Sequence, residues 1–159
     1  NKIMLNLGAG SDIKDGFINH DIAELPGVDV VHDLNTIPWP WEDDSIDELR
    51  AKDILDHIPN KIGFMEELFR ITKPGAKIYI AVPYWNSREA VTDPTHVSQF
   101  NEFTFEFFDP SSELCKERPY YSNARFLIDK IGFGVRLVPY LHTERRYFWK
   151  FPGGICPWK

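Results

Sequence analysis

Hydrophobic residues arrive in this chain as short bursts cut off by polar turns. Residues 3–7 form a brief, mostly apolar run suited to a strand buried on both faces, and the run stops at Gly8-Ala9-Gly10. Residues 17–22 and 28–33 read as second and third strands, each with an aspartate near its carboxyl end, Asp21 and Asp33. Residues 37–45 carry prolines that forbid regular pairing and read as a loop. Residues 46–52 predict a fourth strand. Asn60 is a plausible N-cap for a helix whose Ile62, Met65, Leu68 and Phe69 share one face. Thr72-Lys-Pro-Gly75 stops that helix, and residues 77–82 are a strongly β-prone fifth strand. Residues 86–121 are irregular; Phe100, Phe103 and Phe107 favour a short helix over the strand alternation of Phe103, Phe105 and Phe107. Residues 122–131 predict a helix capped by Gly132, residues 133–141 a sixth strand, residues 144–151 a seventh, and residues 152–157 a loose end.

Strands first, then alternating helix and strand, then a terminal pair, is the order of an α/β protein. The expected architecture is a Rossmann-like, mostly parallel sheet of about seven strands with an antiparallel C-terminal pair, within one domain over residues 1–159. The spacing is tight at the start. Parallel neighbours normally need a crossover of a dozen or more residues, yet few residues separate the first three strands. Either the helices there are reduced to extended or single-turn returns, or the strand limits differ.

Composition narrows the partners. The 159 residues, 43% hydrophobic, suffice for one real core. No run is long enough to span a bilayer and no signal-peptide pattern opens the chain, so no membrane contact is expected. Two cysteines, Cys115 and Cys156, make no disulfide framework and no zinc knuckle, which fits a cytoplasmic location. The net charge of −6 argues against nucleic acid. Residues 1–112 hold 20 acidic and 9 basic side chains, whereas residues 113–159 hold 4 and 9. The basic end either packs on the acidic body or helps hold an anion, and the first explanation is the simpler.

The glycine turn carries the first chemistry. Two glycines one residue apart, straight after a buried strand, let the backbone approach a ligand, at the strand ends where α/β sheets bind theirs. By itself Gly-x-Gly is also an ordinary turn. A dinucleotide enzyme would want a third glycine and a first crossover helix; Asp33 meets its acidic spacing, but Ser11-Asp12 follows Gly10 and no helix follows that. His20 and His32 lie within strands and read as structural. Trp39, Trp41 and Trp85 can stack on a ligand, although packing under loops is commoner. The run Arg145-Arg-Tyr-Phe-Trp-Lys150 suits either an anion or a solvated edge strand.

An ordered series of motifs then resembles one family. Leu5-Asn-Leu-Gly-Ala-Gly10, Gly16-Phe-Ile-Asn-His-Asp-Ile22, Asp29-Val-Val-His-Asp-Leu34, Ile37-Pro-Trp-Pro-Trp-Glu-Asp-Asp-Ser-Ile-Asp47, Leu55-Asp-His57 and Lys73-Pro-Gly75 follow the pattern of class I S-adenosylmethionine-dependent methyltransferases. The compact type 11 group is the most similar. The resemblance implies S-adenosylmethionine as cofactor, with the backbone of Leu7, Gly8, Ala9 and Gly10 under its methionine part. Asn6 sits where the family often has an acidic residue. Asp21 would accept from both ribose hydroxyls and Asp33 from the adenine amino group, with Leu34 beside the ring. Asp53 would line the junction of cofactor and substrate. The plainer use of these carboxylates is solvation or turn capping.

Methyl transfer to oxygen needs a base. Thr92-Asp-Pro-Thr-His-Val97 supplies the candidate: His96 as general base, with Asp93 orienting its ring. Capping of a turn and of the next helix is the bland alternative. His57 can line the same cleft, and Asp53, His57, Asp93 and His96 could together hold a divalent metal, although no metal is expected from so scattered a set. The expected function is methyl transfer to a small-molecule or carbohydrate-like acceptor, at oxygen. The rival is a non-catalytic cofactor- or partner-binding module, favoured by the missing crossovers and Asn6.

Overall fold

The computed structural model describes residues 2–137 and 143–151, with side chains through residue 133. Strands β1 (Met4–Leu7), β2 (Ile18–Asp21), β3 (Val30–Val31), β4 (Ile46–Lys52) and β5 (Thr72–Pro83) run parallel. Helix α1 (Lys61–Ile71) joins β4 to β5. Beyond β5 lie β7 (Thr143–Phe151) and then β6 (Lys130–Leu137), both in antiparallel pairing, so the sheet order is β3-β2-β1-β4-β5-β7-β6. The protein has a Rossmann-like α/β fold around a parallel five-stranded sheet.

The first connections are short because the first strands are short. A four-residue strand spans about 13 Å, and residues 8–17 can return that distance in extended form. No helix satisfies that returning backbone; two buried asparagines do so instead. Asn6 and Asn19 face each other across β1 and β2. Asn6 Nδ2 donates to the Asp12 carbonyl (2.9 Å) and to Asn19 Oδ1 (3.1 Å). Asn19 Oδ1 also accepts from the Lys14 N–H at 2.9 Å, and its Nδ2 donates to the Lys14 carbonyl at 3.1 Å. Buried backbone groups are thereby paired without a crossover helix.

Asn60 caps α1 as expected, its Oδ1 accepting from the Gly63 N–H at 2.9 Å. The helix buries Phe64, Met65, Leu68 and Ile71 against Leu5, Leu7, Leu49 and Ile80 of the sheet. Each such side chain contributes about 1.5–3 kcal/mol of hydrophobic stabilisation. Ile62 and Phe69, placed on the same face from sequence, are partly buried at its margin. The Pro-Trp-Pro-Trp loop is clamped to α1. Buried Glu67 accepts from the Trp39 N–H (2.7 Å) and pairs with Arg70, which donates to the Trp39 and Trp41 carbonyls. Trp39 packs edge-on against Phe64 with ring centroids 5.0 Å apart, so it serves the core.

Two expectations need correction. Residues 122–129 form no helix. Ser122, Ala124 and Phe126 are buried at every second position, the Phe126 N–H donates to the Phe108 carbonyl, and Asp109 Oδ2 accepts from the Ile128 N–H. That segment is extended, and β6 already begins at Lys130. The phenylalanine-rich stretch makes only a 3₁₀ turn, Thr104–Phe108, in which Phe105 stacks on Phe100 while Phe103 is exposed. Residues 138–141 of the expected sixth strand, the loose end at residues 152–157, and the side chains of Arg145 to Lys150 lie outside what is described.

Candidate functional site

The carboxyl ends of β1, β2 and β3 meet at the glycine turn. Register places Leu7 beside His20, so Gly8 follows next to Asp21. Gly8 and Gly10 both have left-handed φ, 62° and 49°, which glycine adopts without penalty. They differ in surroundings. A Cβ on Gly8 would lie 2.9 Å from Ile54, whereas one on Gly10 would meet nothing within 4 Å. A side chain at Gly10 would therefore point into open space, whereas Gly8 is packed. Leu7 and Ala9 are buried and contribute backbone only.

Asp21 holds this turn in shape. Its Oδ2 accepts from the Gly10 N–H at 2.8 Å and its Oδ1 from the Ala23 N–H at 3.1 Å. Each carboxylate oxygen keeps a further lone pair for a ligand. Asp33, just past β3, accepts at Oδ1 from both the backbone and the side chain of Asn35, at 2.9 and 2.8 Å; these bonds hold its carboxyl below the ordinary carboxylate value. Its Oδ2 is not used by that turn. Leu34 is buried in the core, and Asn6 supports the turn from beneath. His20 is buried with Nε2 2.9 Å from the His32 carbonyl, and burial depresses its pKa. The open face at Gly10 and the free lone pairs of Asp21 and Asp33 are the groups that could hold an adenosyl ligand.

A second cleft lies at the ends of β4 and β5. It encloses about 300 Å³ and is lined by Asp53, Asp56, His57, Pro83, Asp93 and His96, among others. Asp53 leaves β4 with φ 51° and its N–H donates to the Ala81 carbonyl at 2.8 Å. Ile54, the residue that blocks a Cβ at Gly8, precedes the 3₁₀ turn Leu55–His57. Ile54 thus links the glycine turn to this cleft.

The structure brings His96 into this cleft but re-pairs it. Asp93 does not orient His96. Its Oδ1 accepts from the Thr95 N–H (2.8 Å) and hydroxyl (2.6 Å), because a short Asx-type turn is closer to hand than the ring. Those bonds hold Asp93 below the ordinary carboxylate value. The acid beside His96 is Asp56, whose Oδ2 lies 2.7 Å from His96 Nε2 and 3.7 Å from His57 Nε2. The two imidazoles stand edge to face, 4.7 Å apart. Asp56 is 1% exposed, and burial pushes its carboxyl up. Sequence reading singled out the neighbours of Asp56 and passed it over. The available signal was its place in Leu55-Asp-His57, between an apolar residue and a histidine.

No protein-family model matches the chain. A curated relative from Mycolicibacterium smegmatis, named a probable S-adenosylmethionine-dependent methyltransferase, is 26% identical over 96 residues. The match covers 58% of this chain and 37% of that protein, so the chain spans well under half of the relative's length. Among solved structures, an S-adenosylmethionine-dependent methyltransferase from Methanosarcina mazei superposes with a TM-score of 0.62 at 16% identity, covering 98% of this chain and 93% of the other. One from Archaeoglobus fulgidus gives 0.64 at 14% identity, with 95% and 86% covered. Motifs, fold and relatives agree on one resemblance, to the class I S-adenosylmethionine-dependent methyltransferases, and S-adenosylmethionine is the cofactor those relatives imply.

Proposed function

We propose that this chain transfers a methyl group from S-adenosylmethionine to an oxygen of a small, carbohydrate-like acceptor seated in the cleft at the ends of β4 and β5. The observation that carries the reading is the nearness of the glycine turn, open at Gly10, to the cleft holding the His57–His96 pair, with Ile54 packed between them against Gly8. When bound, the cofactor supplies a methyl group activated by a sulfonium, which leaves as a neutral thioether. The backbone of Leu7, Gly8, Ala9 and Gly10 floors the methionine part, with Asn6 fixing the turn from below. Asp21 accepts from the ribose hydroxyls and Asp33 from the adenine amino group, with the backbone of Leu34 beside the ring. Asp53 stands where cofactor and acceptor meet.

His96 is the base. It acts as part of the His57–His96–Asp56 group: the acceptor's hydroxyl proton passes to the imidazole pair as the oxygen attacks the methyl carbon, and buried Asp56, 2.7 Å from His96 Nε2, stabilises the resulting imidazolium. Positioning does the remaining work, because an in-line displacement on a good leaving group needs alignment above all. Calorimetric titration with S-adenosylmethionine, S-adenosylhomocysteine and NAD tests the cofactor half. Micromolar binding of both adenosyl ligands with none of NAD is the expected result. Failure of both adenosyl ligands to bind would leave the glycine turn a structural device and overturn the reading.

A further inference from the structure

Three side-chain atoms of ligand type converge in the second cleft. Among the described residues, Asp56, His57 and His96 are a group whose ligand-type atoms all lie within 4.8 Å of one another. Neither Asp56 oxygen has a partner in hydrogen-bond alignment, although Oδ2 is 2.7 Å from His96 Nε2. The far side of each ring explains why. His57 Nδ1 lies 3.0 Å from Thr95 Oγ1, and the Thr95 hydroxyl is already committed as donor to Asp93. Thr95 therefore accepts, and His57 carries its hydrogen on Nδ1. His96 Nδ1 faces the Ala90 carbonyl at 3.4 Å, which likewise favours the hydrogen there. With the hydrogens so placed, both rings turn Nε2 toward a buried carboxylate. Lone pairs facing a carboxylate repel unless a positive centre sits among them.

We propose that Asp56, His57 and His96 bind a divalent transition-metal ion, with Zn²⁺ the best chemical match. Two imidazoles and one carboxylate are the donor set of open, three-ligand zinc sites, and the mixture is too nitrogen-rich for Mg²⁺ or Ca²⁺. The Asp93–Thr95–His57 chain has the form of outer support that holds a ligating histidine in one tautomer. Asp93 thereby acquires a positioning role through His57. The backbone also ties the parts together, since the Val97 N–H donates to the Asp56 carbonyl at 2.9 Å. The cleft leaves room for a fourth ligand, an oxygen of water or of the acceptor. A hydroxyl bound there loses its proton to solvent more readily. A cation on His96 Nε2 prevents that nitrogen from taking a proton, so the metal route and the His96-base route are alternatives for the acceptor site proposed above.

The test is direct titration of chelator-stripped protein with Zn²⁺, with Co²⁺ as a spectroscopic probe and Mg²⁺ as control. One Zn²⁺ per chain should bind, Co²⁺ should give the visible absorption of a low-symmetry nitrogen–oxygen site, and Mg²⁺ should not bind. Asp56→Asn should weaken Zn²⁺ at least 100-fold. His57→Gln, at the more exposed ring, should do so without threatening the fold. Thr95→Val should weaken it roughly 10-fold, as loss of outer support does. No saturable Zn²⁺ binding, or binding unchanged in His57→Gln, would overturn the proposal. S-adenosylmethionine is titrated into the same stripped protein. Cofactor binding without Zn²⁺ binding sinks the metal site alone; Zn²⁺ binding without cofactor binding sinks the methyl-transfer reading alone.

Discussion

The glycine turn and the cleft beside it treat their carboxylates in opposite ways. At the glycine turn, Asp21 and Asp33 each accept nearby N–H groups, and Asn6 and Asn19 pair the returning backbone. That side is assembled and needs only a ligand laid on it. Across Ile54, Asp56 is more deeply buried and has no aligned donor at either oxygen. A satisfied carboxylate shapes a loop, whereas a buried one left without donors is costly, and its cost is the mark of a site that awaits a cation or a proton. On the readings proposed above, the contrast separates residues that shape the binding turn from residues that act on the acceptor.

The sharpest way to break the comparison is at the seam. Gly8 and Gly10 have similar backbone conformations, so alanine strains each by about 1–2 kcal/mol. Only Gly8→Ala also drives a Cβ to 2.9 Å from Ile54, adding about 1–3 kcal/mol of overpacking and displacing the turn that bears Asp56 and His57. Thermal unfolding should drop by roughly 10 °C for Gly8→Ala and by a few degrees for Gly10→Ala. Gly10→Ala should lose cofactor affinity and keep Zn²⁺ binding; Gly8→Ala should lose both. Equal effects of the two substitutions would mean that the glycine turn and the cleft do not communicate through Ile54.

Asp21 tests the assembled side by itself. Asp21→Ala removes the acceptors of Gly10 and Ala23 and the proposed ribose contacts. Charge-assisted hydrogen bonds of that kind are worth about 1.5–3 kcal/mol, so S-adenosylmethionine affinity should fall about 10- to 100-fold by calorimetry. Asp21→Asn, which keeps one carbonyl acceptor, should lose less. Zn²⁺ binding should be unaffected in both. Unchanged cofactor affinity in Asp21→Ala would remove Asp21 from the binding site and leave it as a turn cap.

What could be read in advance follows the range of the interaction. Strand β4 was legible at its observed bounds, and so was the Asn60 cap, because each rests on residues close in sequence. The parallel start was legible as a conflict between short spacing and crossover length, which four-residue strands and two buried asparagines resolve. Residues 122–129 were misjudged because burial every second position there depends on Phe108 and Asp109, outside the window that predicts a helix. The site followed the same rule. Asp93 was matched to His96 because they are three residues apart, yet the ring meets Asp56, brought in from the far end of β4. The Glu67–Arg70 clamp on the Pro-Trp-Pro-Trp loop was invisible for the same reason.

The smallest effect should come from Asp56→Asn in metal-free protein, and its sign is the informative part. Burial raises the folded-state pKa of Asp56 above its ordinary value of 3.8. The native chain then holds this proton at a pH where the unfolded chain has released it. Its contribution to stability is fully present below 3.8 and is lost as pH rises through the folded value. The asparagine variant has no charge to bury and escapes that loss. Wild type and variant should therefore match in strong acid, and the variant should gain on the wild type toward neutrality. Asp12, Asp33 and Glu67 are shifted the opposite way, so they cost stability as pH falls, but equally in both proteins, and they cancel in the difference. Urea midpoints in chelator, followed from acid to neutral pH, measure it. A variant that loses stability toward neutrality would show Asp56 already held as an ion by charged histidines, and the two regions would then differ only in whether N–H groups or imidazolium rings satisfy the acid. A variant that gains it, while Zn²⁺ restores only the wild type's advantage, would show a carboxylate kept at a cost for the ion it binds.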